Sequence, residues 1–227
     1  MSKVLFVSGI DTDIGKTAVT GLMARSLLAT GHDVITVKFV QTGNDGFSED
    51  IDVHRKICGG IQYPEDAEGL TAPQIFKFPS SPLLAAQLEH RMVDVTAITD
   101  AVRQCAARHE IVLVESAGGL DVPLTPDLLT IDVAAAEGWP LILVTCGRLG
   151  SLNHTLLSLE AAKARKLPVA CVVYNWFALT DPLIDRDTPE MTKRYLARWG
   201  LPPVVVKVPQ FDIDGPYPDI DFSELIK

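Results

Sequence analysis

Hydrophobic and polar positions along the chain alternate between two periods. Val4 to Ser8 is a short run of β-branched and aromatic residues, which predicts a buried strand. Glycine and polar residues interrupt it from Gly9 to Thr17, and from Ala18 to Ala29 apolar positions recur at helical spacing up to the stop signal Thr30-Gly31. A second apolar run, Asp33 to Val40, follows within a few residues. Strand, loop, helix and strand in that order make a right-handed crossover when the two strands are parallel. Downstream, Ile111 to Glu115, Leu141 to Cys146, Val169 to Tyr174 and Val204 to Val208 read as strands, with helical patterns over 94–108, 127–137, 151–166 and 189–199. Strands that are apolar throughout need cover on both faces. The expected fold class is therefore α/β, one mostly parallel sheet with helices on both faces.

The segment from Gln41 to Pro82 is richer in glycine, proline and acidic residues, with one possible helix around Asp50 to Cys58, and we assign it to active-site loops with short elements. The acidic stretch from Gln210 onward contains Pro216 and Pro218 and is expected to be a surface-hugging C-terminal extension. A length of 227 residues suits a single domain, 1–227, with a substantial core. At 47% hydrophobic and 22% charged the composition excludes a disordered chain. The net charge of -9 opposes a phosphate backbone, so no nucleic-acid partner is expected. No apolar stretch reaches bilayer length, which points to a cytoplasmic chain without a membrane partner. Cys58, Cys105, Cys146 and Cys171 are too scattered for a zinc site or a disulfide framework and are expected to be reduced core residues.

Chemistry enters at Gly9-Ile10-Asp11-Thr12-Asp13-Ile14-Gly15-Lys16-Thr17. A glycine loop between a buried strand and a helix aims backbone N–H groups and the helix dipole at one spot, where they can hold phosphates. Lys16 adds a point charge on the terminal phosphates, and the Thr17 hydroxyl can ligate Mg2+. The usual P-loop has four residues between its glycines; here Gly9 lies one position early. Guanine specificity would require Asn-Lys-x-Asp, and the nearest candidate opens Asn175-Trp176, without the lysine. The signature lysine of DNA-partitioning and division-site ATPases, five residues before the P-loop lysine, is replaced by Asp11. No G-x-G-x-x-G follows the first strand, which removes a dinucleotide reading.

Lys38 ends the second strand, and the carboxyl ends of neighbouring parallel strands share one crevice. It either faces the P-loop ligand or snorkels into solvent. Glu115 closes the run Ile111-Val112-Leu113-Val114, where a carboxylate falls near the P-loop threonine and can hold Mg2+. Of the acidic residues after the second strand, Asp52 is the expected second carboxylate, with Glu49 and Asp50 equally able to serve.

The loop from Gly9 to Thr17 resembles the G-T-D-T-x-x-G-K-T loop of dethiobiotin synthetases, including the irregular spacing, with Ile10 for Thr. Lys38 matches the lysine of that family's V-K-P-V-x-[ST]-G segment, Glu115 the glutamate of V-E-G-A-G-G, and Leu149 to Leu157 its L-G-x-I-N-H-T-L-L run. The similarity runs in order from residue 4 to about 209. It implies a single-domain P-loop NTPase fold and ATP-dependent closure of 7,8-diaminopelargonate with CO2 to dethiobiotin. ATP would lie against Asp13, Ile14, Gly15, Lys16, Thr17, Ala18, Asn175 and Pro209, and Mg2+ on Thr17, Asp52 and Glu115. Lys38, Lys16 and Thr12 would be catalytic. Thr12, Lys38 and Thr42, with Gly150, Ser151, Leu152 and Asn153 at a helix start reaching across a homodimer interface, would hold the substrate. In that helix Leu152, Leu156 and Leu159 fall at core spacing. The chain departs from the family pattern at Phe39, Gln41, Leu83 and Ser116, and we expect most of these to line the substrate side. Two other readings stay open: a P-loop ligase for a different amine or acid, and a non-catalytic nucleotide-binding protein.

Overall fold

The structure, a computed structural model, describes residues 2–176 and 181–226. In chain order the elements are β1 (Lys3–Gly9), α1 (Lys16–Ala29), β2 (Val34–Lys38), β3 (Gln41–Thr42), α2 (Glu49–Ile57), α3 (Pro64–Ala67), β4 (Ile75–Phe76), α4 (Pro82–Leu88), α5 (Val95–Arg108) and β5 (Ile111–Gly119). They continue as β6 (Pro123–Thr125), β7 (Leu128–Leu129), α6 (Thr130–Glu137), β8 (Leu141–Cys146), α7 (Ser151–Ala164), β9 (Val169–Asn175), α8 (Pro182–Arg198), β10 (Val205–Val208) and a final 3-10 turn, Ser223–Ile226. Six of the strands form one all-parallel sheet in the order β10-β9-β8-β1-β5-β2.

Because successive strand residues point to opposite faces, the sheet feeds two separate cores. Phe6, Val112, Val114, Leu143 and Val172 pack under α5, α6, α7 and α8, where Phe6, Phe39 and Trp139 meet with ring centroids 6.1–6.5 Å apart. Leu5, Val7, Leu113, Ile142 and Val173 pack on the other side against α1, Ile57 of α2 and the C-terminal segment. Among the described residues no helix is long and apolar enough to cross a membrane. Cys105, Cys146 and Cys171 are buried free thiols, and Cys58 is a half-buried one.

Three helix starts differ from the sequence reading by two residues or more. Helix α1 starts at Lys16 rather than Ala18, since its first turn is built from loop residues with no apolar period. Helix α6 starts at Thr130 rather than 127, because Leu128 and Leu129 pair with β6. Helix α8 begins at Pro182 rather than 189: Asp181 caps it by accepting from Leu183 N, and Pro189, expected to open it, sits inside it. Its last turns nevertheless follow the expected pattern. In α7 the buried face is Ser151, Thr155, Leu159 and Ala162, whereas Leu152 and Leu156 are half-buried. The small polar residues face the sheet because Thr145 on β8 bonds Thr155 at 2.7 Å.

The C-terminal extension is more than a surface strap. Phe222 and Leu225 are buried in the α1-side core, Ser26 Oγ donates to Ile220 O at 2.7 Å, and Arg25 lies 5.2 Å over the Tyr217 ring. Phe222→Ala is expected to lower stability by about 3 kcal/mol in urea unfolding, the usual loss for a buried phenylalanine; a loss below about 1 kcal/mol would mean that the segment is dispensable.

Candidate active site

The parallel register sets Val7, Glu115 and Lys38 side by side across β1, β5 and β2. Glu115 is completely buried, and a carboxylate taken out of water needs donors. Three are supplied. Lys38 Nζ at 2.8 Å and Thr17 Oγ1 at 3.0 Å donate to Oε1, and His54 Nε2 lies 2.7 Å from Oε2. Burial alone would raise the Glu115 pKa, but Lys38 and then His54 outweigh it and hold the carboxyl far below the usual carboxylate range. Burial would likewise lower Lys38, yet Glu115 and Asp50 push it up. The ammonium also donates to Ser116 O at 3.1 Å and pairs with Asp50.

The P-loop leads from β1 to the open amino terminus of α1. No side chain caps that helix and its first turn holds no acid, so its N–H groups remain for an anion. Gly15 has φ 84, and a Cβ there would sit 2.2 Å from Asn175 Nδ2, so only glycine fits. Asn175 is buried and its Nδ2 donates to Ile14 O at 3.0 Å, tying the end of β9 to the loop. Lys16 Nζ donates to Asp11 O at 2.8 Å. Burial, together with repulsion from Lys38, drops Lys16 to about 8 against the pull of Glu115.

Asp52 is not the second carboxylate. It is exposed, while Asp50, one half-turn earlier, shares the single Thr17 hydroxyl proton with Glu115, its Oδ1 lying 2.8 Å from Thr17 Oγ1, and meets Lys38. The reason is helical phase. Residues Ile51, His54, Arg55 and Ile57 form the inner face of α2; Asp50 lies at its edge, and Asp52, two positions on, points away. Asp50 was one of the two alternatives to Asp52 that the sequence left open; His54, one turn after it, was missed.

A cavity of about 830 Å³ opens above this cluster. It is lined by Thr12, Asp13, Gly15, Lys16, Thr17, Lys38, Thr42 and Glu115 from the expected set, together with Asp50, Gln41 and the Pro79–Pro82 turn. Ile14 is core, Ala18 is half-buried in α1, and Pro209 is exposed beyond β10; none of them lines the cavity, nor does Asn175. Gly150, Ser151, Leu152 and Asn153 also lie outside it, at the start of α7, where Ser151 Oγ is buried without a partner. The expectation that most departures face substrate fails. Phe39 is core, Ser116 Oγ bonds Ser8 Oγ at 2.9 Å inside the sheet, Leu83 is off the wall, and Gln41 alone of the four lines the cavity.

A family model described as an AAA domain matches residues 3–212. The chain is 44% identical over 200 residues to the ATP-dependent dethiobiotin synthetase BioD 2 of Pasteurella multocida, covering 88% of this chain and 94% of the relative. It is 48% identical over 199 residues to the ATP-dependent dethiobiotin synthetase BioD of Chlorobaculum tepidum, covering 88% and 83%. The chain belongs to the dethiobiotin synthetase family. Among solved structures, the MinC:MinD cell division complex of Aquifex aeolicus aligns with TM-score 0.58 at 13% identity over 92% of this chain and 82% of that one. A ParA family ATPase from Chlorobium tepidum aligns with TM-score 0.53 at 13% identity over 93% and 86%. These two share the fold that the dethiobiotin synthetase family uses, an α/β P-loop architecture.

The depressed Lys16 pKa has a stability consequence. The cost of its buried charge is fully present below about pH 8 and is relieved as pH rises toward 10.5, where the unfolded chain still binds the proton. Lys16→Met is expected to stabilise the ligand-free protein at pH 7 by on the order of 2–3 kcal/mol, and to flatten the rise in stability between pH 8 and 10. Urea unfolding at pH 7 and pH 9.5 reads both; an unchanged profile would show that the ammonium is well solvated.

Proposed function

We infer that the chain catalyses ATP-dependent closure of 7,8-diaminopelargonate with CO2 to dethiobiotin, releasing ADP and phosphate, a ligase step of biotin biosynthesis. The observation that carries this reading is the meeting of two ammonium groups, Lys16 and Lys38, with the Thr17, Asp50 and Glu115 oxygens in one cavity at the P-loop. Membership of the family supports it.

One substrate amine adds to CO2 and loses a proton, giving a carbamate anion that is short-lived in water. Lys38 stabilises that anion, and Lys16 with the α1 N–H groups holds the γ-phosphate in line with it. The carbamate oxygen attacks phosphorus and ADP departs. The second amine then attacks the carbonyl carbon of the mixed anhydride, expelling phosphate and closing the cyclic urea. Thr12 lines the same cavity wall.

A hydroxyl and two carboxylates are hard oxygen donors of the kind Mg2+ takes together with phosphate oxygens and water, so the residues fit that ion. Bound there, Mg2+ would neutralise charge on the transferred phosphoryl group. In the homodimer proposed, the α7 amino terminus, whose Gly150 to Asn153 lie outside this chain's own cavity, would serve the substrate carboxylate in the partner's cavity, with the exposed Leu149 and Leu157 beside it as apolar contact.

Phosphate release with ATP and Mg2+ should depend on both the diamine and bicarbonate; release that ignores the diamine would favour a ligase for another amine, and none at all a binding protein. Lys38→Gln should lower kcat by roughly a hundredfold or more with ATP affinity, read by calorimetry, little changed. Near-normal turnover would remove Lys38 from the mechanism. Asp50→Asn should raise the Mg2+ requirement about tenfold, whereas Asp52→Asn should not; the reverse order would restore Asp52 to the site.

A further inference from the structure

We propose that His54 is a positioning residue for the ligase reaction, fixing the rotation of the Glu115 carboxylate so that one oxygen is presented to Thr17 and Lys38. The inference rests on the reading of Thr17, Asp50 and Glu115 as the cation-holding set. His54 is completely buried on α2, one turn after Asp50, and its Nε2 lies 2.7 Å from Oε2, the oxygen that neither Lys38 nor Thr17 touches. The terminal torsion of a glutamate is broad and roughly two-fold, so donors on a single oxygen leave the plane loosely set. A donor on the second oxygen removes that freedom.

The far side of the ring is held just as firmly. Nδ1 lies 3.0 Å from Thr36 Oγ1, and Thr36 Oγ1 accepts from Arg55 Nη1 at 2.8 Å. Arg55 is clamped by Asp66 at 2.9 and 2.7 Å and lies 4.6 Å over the Tyr63 ring. These contacts fix one proton. The ionised Glu115 only accepts, so Nε2 carries hydrogen. On the other side of the ring Nδ1 meets Thr36 Oγ1, which also accepts from Arg55. The relay of contacts runs from the Arg55 guanidinium through Thr36 and His54 to Glu115. It is anchored on β2 and ends at the carboxylate that α1 and Lys38 share.

A histidine that merely filled space between α2 and the sheet would affect stability and nothing at the site. Nitrogen-15 NMR of the ligand-free full chain should show Nε2 protonated; an Nε2 without hydrogen overturns the proposal whatever the metal does. Half-saturating Mg2+ for phosphate release is then compared in the wild type, His54→Leu and His54→Gln, with Mn2+ binding in the presence of ATP followed by electron paramagnetic resonance. His54→Leu should need roughly tenfold more of either ion, with kcat at saturating Mg2+ within about threefold. His54→Gln, which keeps an N–H toward Oε2, should recover most of the difference. A folded His54→Leu protein with wild-type ion requirements overturns the proposal. If that variant does not fold, Thr36→Val carries the same test: loss of the hydroxyl frees the ring, and an unchanged Mg2+ requirement contradicts the relay. A wild type that needs no divalent ion would instead remove the cation reading and leave the Nε2 protonation result standing by itself.

Discussion

A negative charge with no access to water lies at the centre of this protein. Taking the Glu115 carboxylate out of water costs several kcal/mol unless partners replace its hydration, and its three partners come from three different elements: Thr17 from α1, Lys38 from β2 and His54 from α2. Each must be in place for the others to be tolerable, because a buried ammonium such as Lys38 is equally costly alone. The charges hold one another in their ionised forms. This explains why α2, a short helix outside the regular crossover pattern, is packed so firmly against α1 that a Cβ at Gly21 would come within 2.7 Å of Ile57.

Around that cluster the fold leaves selected groups unsatisfied. Among the described residues no side chain caps the α1 amino terminus and the buried Lys16 donates only to a loop carbonyl, while Asp13 adopts φ 55 without being glycine. Such departures from local optimum are what a site for a polyanion requires, since the missing partners are those a triphosphate brings. Rigidity is supplied from outside the loop by Asn175 on Ile14 and by the Arg148 ion pair to Asp11 at 2.6 Å.

Most of the scaffold was legible because periodicity and the strand, loop and helix order both report burial directly. The six sheet strands, the P-loop and the placing of Lys38 and Glu115 near it follow from apolar runs and the shared crevice of parallel strands; that the two form an ion pair with each other was not read. What escaped depends on phase and on side-chain direction. Asp50 was one of three acidic residues in four positions, and only the helical phase of α2 selects it over Asp52. His54 gave no motif signal, since a single histidine in the charged stretch Asp52 to Lys56 says nothing until its partner carboxylate is located. Phe39 and Ser116 sit within site motifs yet face the core and the sheet interior, an orientation that motif position does not encode. The start of α8 was hidden because Pro189 reads as a helix opener, while the cap at Asp181 lies eight residues earlier.

In the proposed reaction one oxygen set, organised by Glu115, serves the cation while Lys38 serves the substrate. A crystal structure of the full chain with Mg2+, a non-hydrolysable ATP analogue and the diamine tests this division of labour. Mg2+ is expected among Thr17, Asp50 and Glu115, with Lys38 Nζ drawn off Asp50 toward the reacting amine. Mg2+ held by Asp52, or Lys38 still paired with Asp50 beside a bound diamine, would contradict it.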